Sequence, residues 1–63
     1  MPTIRVELFE GRTEEQKRVY AKALTETTVQ TLGCSPEAVE VLFYDIKKSD
    51  WASGGVLWND ETK

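Results

Sequence analysis

Apolar and polar residues alternate from the start of the chain: Ile4, Val6 and Leu8 fall on one face of an extended segment, and Thr3, Arg5, Glu7 and Phe9 on the other. A period of two marks a strand with one face against a core. The pattern therefore predicts a strand over Pro2 to Phe9 whose even face meets a helix. Glu10-Gly11-Arg12 then reads as the turn that leaves it.

The period changes at Thr13, a good N-cap, because its hydroxyl accepts from the N–H three residues on while Gln16 reaches back. Glu14 and Glu15 suit the positive end of a helix. The spacing predicts a helix from Glu14 to Leu32 with Tyr20, Ala21, Leu24, Thr28 and Leu32 as its buried stripe. Lys17, Thr27 and Thr31 lie close to the same face. Threonines at 25, 27, 28 and 31 are weak helix formers, so this helix is expected to pack against something close. Gly33 is its left-handed stop, and Cys34 reads as a small half-buried residue in the following turn.

Ser35-Pro36-Glu37 is a second start signal, long enough for one short helical turn. From Val39 to Ile46 the chain is almost continuously apolar, the composition of a strand covered on both faces. A long helix between two strands predicts a right-handed crossover and a parallel pair. Lys47 and Lys48 leave the sheet, and the stretch from Ser49 to Gly55 is a loop with turn chemistry at its end. Val56-Leu57-Trp58 is too short to stand alone and belongs to a small hairpin or lies on a neighbouring subunit, with a polar tail from Asn59 to Lys63. The expected class is α+β: two parallel strands, one long helix and a short C-terminal hairpin, in one domain spanning residues 1–63.

Composition narrows the chemistry. A chain of 63 residues buries only about 60% of the surface its unfolded form exposes. Cys34 is the only cysteine and histidine is absent, so neither a disulfide nor a metal-ligand set is available, and no cofactor is expected. Oligomerisation is the remaining way to enlarge the core. The lack of histidine also removes Ser-His and Cys-His nucleophiles, leaving carboxylates, lysines, tyrosines or the chain terminus for acid–base work. A net charge of −3 and a pI near 4.8 argue against nucleic acid and against an anionic membrane as partners. No apolar run reaches the length of a membrane span or a secretory segment; the expectation is a cytoplasmic protein.

Pro2 is the residue of most chemical interest. If Met1 is removed, its nitrogen becomes a secondary amine at the N-terminus. An ordinary α-amino group has a pKa of about 8, which nearby cations or an apolar pocket lower into the range of a general base. The alternative reading of a second-position proline is an exposed chain start.

Met1-Pro2 ahead of a short strand, Glu10-Gly11-Arg12-Thr13 with Glu15-Gln16-Lys17 behind it, the βαβ body, the aromatic Trp51 and Gly54-Gly55 together resemble the 4-oxalocrotonate tautomerase family over essentially the whole chain. The resemblance implies the βαβ tautomerase fold and removal of Met1, with Pro2 as general base or acid. It also implies a sheet extended by oligomerisation, with dimers assembled as a homohexamer, a trimer of dimers. The implied reaction moves a proton along a conjugated enol to give an α,β-unsaturated ketone, on a small carboxylic acid of the 2-hydroxymuconate or phenylenolpyruvate type. Arg12 matches the family arginine that holds a substrate carboxylate, for which a guanidinium offers a bidentate fork. Trp51 matches the pocket aromatic.

Glu40 departs from the pattern, since well-studied members carry there a second arginine that reaches a neighbouring subunit's site. A carboxylate does not stabilise a developing enolate, and close to the Pro2 amine it would favour the protonated form. Glu40 either does this or points to solvent or pairs with Arg5 or Arg12. A haloacrylate-processing branch of the superfamily carries a water-activating glutamate where this chain has Ser53 and an extra arginine where it has Phe9, so dehalogenation is not expected. Two alternatives to the tautomerase stay open: a hydratase-like lyase using protonated Pro2 and Glu40, and a catalytically weak assembly module.

Overall fold

A computed structural model describes residues 1–60 of the chain; residues 61–63, the end of the expected polar tail, lie outside the described part. Strand β1 spans Thr3–Phe9, helix α1 Glu14–Leu32 and strand β2 Glu40–Ile46, and the chain ends in a hairpin of β3 (Ala52–Ser53) and β4 (Val56–Leu57). Single 3-10 turns at Pro36–Ala38 and Lys48–Asp50 flank β2. β1 and β2 pair in parallel, in register from Thr3 with Glu40 to Phe9 with Ile46. The fold is the α+β, βαβ arrangement expected from the sequence.

The helix limits follow from local chemistry. The Thr13 hydroxyl accepts from the Gln16 amide at 3.1 Å while the Gln16 side chain accepts from the Thr13 amide at 2.9 Å, a complete capping box. At the other end Gly33, at φ 74°, returns its N–H to the Val29 carbonyl. Val39 caps the preceding 3-10 turn, so β2 begins one residue later than the apolar run suggests.

The buried stripe of α1 is rotated slightly from its expected position. Lys17, Ala21, Leu24, Thr25, Thr28 and Val29 are half-buried, whereas Tyr20 is 47% and Leu32 64% exposed, and Thr27 and Thr31 face outward. Thr28 donates from its hydroxyl to the Leu24 carbonyl at 2.7 Å, which satisfies this weak helix former in place.

The helix covers one face of the sheet. Ile4, Val6 and Leu8 pair with Val41, Phe43 and Asp45 on that side. The opposite face pairs Thr3, Arg5 and Glu7 with Glu40, Leu42 and Tyr44, and there Leu42 is 41% and Tyr44 42% exposed. The expectation that β2 is covered on both faces is thus not met within one chain, because a single helix has only one side of a two-stranded sheet to occupy. No described residue is fully buried. The Cα radius of gyration is 15.1 Å, where a compact chain of this length has about 11 Å. The molecule is a thin slab, 13 Å in its shortest dimension.

Candidate functional site

Between α1 and the helix-side face of the sheet runs a groove of about 360 Å³. Its floor is apolar, made by Val6 and Leu8 of β1 and Phe43 of β2, and Tyr20 leans over it with its ring centroid 6.2 Å from that of Phe43. The alternation of β1 sends Val6 and Leu8 to this side, and the register places Phe43 directly beside Val6. Arg12 enters from the turn after β1; Gln16 and Lys17 follow from the first turns of α1.

The two cations that line the groove among the described residues differ. Lys17 forms an ion pair with Asp45 of β2 across the helix–sheet junction. The Arg12 guanidinium makes no hydrogen bond or ion pair among the described residues. On the outer side of the helix Arg18 is held by both Glu14 and Glu15, one and nearly one turn away. A free guanidinium at one end of an apolar trough is a receptor for a planar anion.

Trp51 takes part in a second cluster at the same end of the sheet. Its ring centroid is 4.7 Å from that of Phe9, and Trp58 approaches the same phenyl ring at 5.4 Å. The Lys48 ammonium lies 5.8 Å from the Phe9 centroid, within cation–π range. The hairpin organises this group. Gly54 and Gly55, at φ 61° and 82°, form a two-residue turn that only glycine adopts freely at both positions. The turn brings Trp58 opposite Trp51, whose carbonyl accepts the Trp58 amide at 2.8 Å. Ser53 accepts from the Trp58 indole N–H at 2.9 Å, so its hydroxyl is engaged in fixing the hairpin. The Phe9–Trp51–Trp58 cluster and the Lys17–Asp45 pair were not foreseen from the sequence; the Gly54-Gly55 turn was the one signal that sets residues 51 and 58 across from each other.

Pro2 lies elsewhere. It precedes β1 while Arg12 follows it, and a seven-residue strand is about 23 Å long. One chain therefore keeps the amine position and the guanidinium at opposite ends. Pro2 is half-buried, and its carbonyl accepts from the Glu40 amide at 3.0 Å. Glu40 is exposed on the outer sheet face beside Thr3. The residues singled out from sequence thus fall apart, Pro2 with Glu40 at one end of the sheet, and Arg12 and Trp51 at the other, where Arg12 borders the groove while Trp51 packs on Phe9 and is not part of the groove lining.

The family model described as tautomerase enzyme matches residues 2–61, and the chain belongs to that family. It is similar to a probable tautomerase of Ralstonia nicotianae, 41% identical over 61 residues that cover 97% of this chain and 94% of that protein. Among solved structures, a 4-oxalocrotonate tautomerase homologue superposes with a TM-score of 0.89 at 41% identity, covering 97% of both chains. A fused 4-oxalocrotonate tautomerase described as an asymmetric trimer superposes with a TM-score of 0.83 at 34% identity, over 89% of this chain and 46% of its own. These relatives support a tautomerase function, an isomerase activity. Among the described residues no helix is long and apolar enough to cross a membrane.

Proposed function

We propose that this chain is an enol–keto tautomerase of small carboxylic acids whose site is completed by a second copy of itself. In this reading Pro2 is the base, Arg12 the carboxylate clamp and Trp51 the wall that limits water. The observation that carries it is the unpaired Arg12 guanidinium beside an apolar groove.

Once Met1 is removed, the Pro2 amine takes the proton of the enol hydroxyl and returns one to the far carbon of the conjugated system. The C–O bond becomes a carbonyl, the double bond shifts, and no atom is gained or lost. Arg12 holds the carboxylate through paired N–H donors, which fixes the reacting carbons relative to the base. The amine works as a base only where it is largely unprotonated, a condition that apolar surroundings favour.

The separation of Pro2 from Arg12 requires the second copy. The open edge of β1 is self-complementary about Val6. An antiparallel pair centred there sets Ile4 against Leu8, Arg5 against Glu7 and Pro2 against Glu10, two residues from Arg12. Opposite charges and apolar pairs facing one another across strands each favour such a register. The thin slab and the exposed Leu42 and Tyr44 face support further assembly, for which a trimer of dimers is the proposed end state.

A second reading is favoured by one contact, the hydrogen bond from the Glu40 amide to the Pro2 carbonyl. With residue 40 anchored beside the chain start, a protonated Pro2 acting as acid and Glu40 activating water would add water across a conjugated double bond. Proton NMR of the products separates the two, since a tautomerase returns an isomer and a hydratase a hydroxylated acid. The decisive experiment is turnover of phenylenolpyruvate and 2-hydroxymuconate by protein whose intact mass shows Met1 removed, compared with Pro2→Ala. Equal rates from both proteins would overturn the role of Pro2.

A further inference from the structure

Resting on the tautomerase reading above, in which Trp51 walls the site, we infer that Trp58 is a positioning residue for that wall, held in place by the Ser53 hydroxyl. Every contact that carries this lies within one chain. Trp51 caps the Lys48–Asp50 turn, and its indole N–H makes no hydrogen bond among the described residues. No polar atom of its own side chain therefore sets the orientation of its ring. Packing on Phe9 sets it, with ring centroids 4.7 Å apart.

Trp58 is fixed at three points. Its amide donates to the Trp51 carbonyl at 2.8 Å, its indole N–H donates to the Ser53 hydroxyl at 2.9 Å, and its ring centroid lies 5.4 Å from that of the same Phe9. Both bonds cross the hairpin, whose ladder pairs Ala52 with Leu57 and Ser53 with Val56. The amide bond restrains the backbone and leaves the indole its side-chain rotation. Trp58 is 40% exposed, so burial by itself does not stop that rotation. The bond to Ser53 does, and the indole it holds then braces Phe9, on which Trp51 packs. A ring locked by its neighbours in this way is in place before a ligand arrives, the condition under which it can orient a reacting group. Trp51 is only half-buried, which leaves part of its surface for that purpose.

The test combines a spectroscopic readout of ring order with a kinetic cycle. In the indole region of nitrogen-15 NMR spectra of the Met1-processed protein, the Trp58 N–H should exchange with solvent at least about tenfold more slowly than the Trp51 N–H, because only the former is bonded within the chain. Ser53→Ala should remove that difference and Ser53→Thr, which keeps the acceptor, should retain it. Trp58→Ala should broaden or split the Trp51 resonance, and Trp58→Phe should do so less. With phenylenolpyruvate, Trp58→Ala should lower kcat about tenfold and change KM by less than about threefold, since the Arg12 clamp is untouched. In a Trp51→Ala background the same change should cost less than about twofold, because a residue that acts through Trp51 has nothing left to position. Sedimentation and circular dichroism confirm that fold and assembly are kept, and Ser53→Ala carries the cycle if Trp58→Ala does not fold. Effects of Trp58→Ala and Trp51→Ala that multiply, or a Trp51 resonance that neither Trp58→Ala nor Ser53→Ala disturbs, overturn the inference. If the unmodified protein shows no Pro2-dependent turnover, the tautomerase reading fails, and the two indole resonances alone decide whether Trp58 orders Trp51.

Discussion

The amide of Glu40 donates to the carbonyl of Pro2 at 3.0 Å, and Glu40 is the register partner of Thr3, so the backbone of residue 40 is tied to the start of β1 in the same chain. In the proposed reading the Glu40 side chain brings a negative charge near the amine that Met1 removal would create. A carboxylate nearby favours the ammonium, leaving less free base at neutral pH. Glu40→Arg should move the rising limb of kcat/KM against pH, which reports the free enzyme's essential base, to lower pH. A displacement of one unit would correspond to about 1.4 kcal/mol between the protonation states. Profiles of the two proteins with phenylenolpyruvate that superimpose would show that Glu40 does not sense the amine.

Arg12 is exposed and its guanidinium is unpaired among the described residues, so its removal leaves no orphaned counter-charge behind. Arg12→Ala should raise KM for carboxylate substrates by about 10- to 100-fold, the worth of a charge-assisted contact, and lower kcat less, as expected for binding shared by ground and transition states. Arg12→Lys should recover only part of the loss, since a point charge lacks the bidentate fork. Unchanged constants would remove Arg12 from the site.

The proposed β1 pairing sets Arg5 against Glu7 twice across a two-fold axis. Arg5 also lies over the Tyr44 ring, 5.5 Å from its centroid, which steadies the side chain on the outer face. Arg5→Glu should weaken assembly by at least about tenfold, because like charges then face each other at two places. Arg5→Glu with Glu7→Arg should recover it. Sedimentation velocity across micromolar concentrations checks both, and a double variant no better assembled than the single one would exclude this register.

Thr13 supplies one bond of the capping box from its hydroxyl. Thr13→Ala should lower stability by about 1 kcal/mol, read as a smaller urea midpoint with an unchanged slope. The comparison is made at one protein concentration, since assembly contributes to the apparent stability. Serine at the same position should be close to neutral.

The sequence by itself determined the local order of this protein, because those signals are carried by near neighbours. The alternation of Ile4, Val6 and Leu8, the Thr13–Gln16 box and the Gly33 stop each depend on residues within a few positions, and the strand, the helix limits and its C-terminal cap follow from them. The parallel pairing of β1 with β2 follows from the length of the helix between them. Tertiary structure decided what depends on register and rotation. A small turn of α1 about its axis exposes Tyr20 and Leu32 and brings Thr25 and Val29 inward, a difference too small for periodicity to resolve. The pairing of Lys17 with Asp45, 28 positions apart, and the packing of Phe9 between Trp51 and Trp58 come from where the chain returns. Pro2 and Arg12 stand at opposite ends of β1 because of strand geometry. A residue in a strand advances about 3.3 Å, so residues that belong to one motif in the sequence end a strand's length apart in the fold.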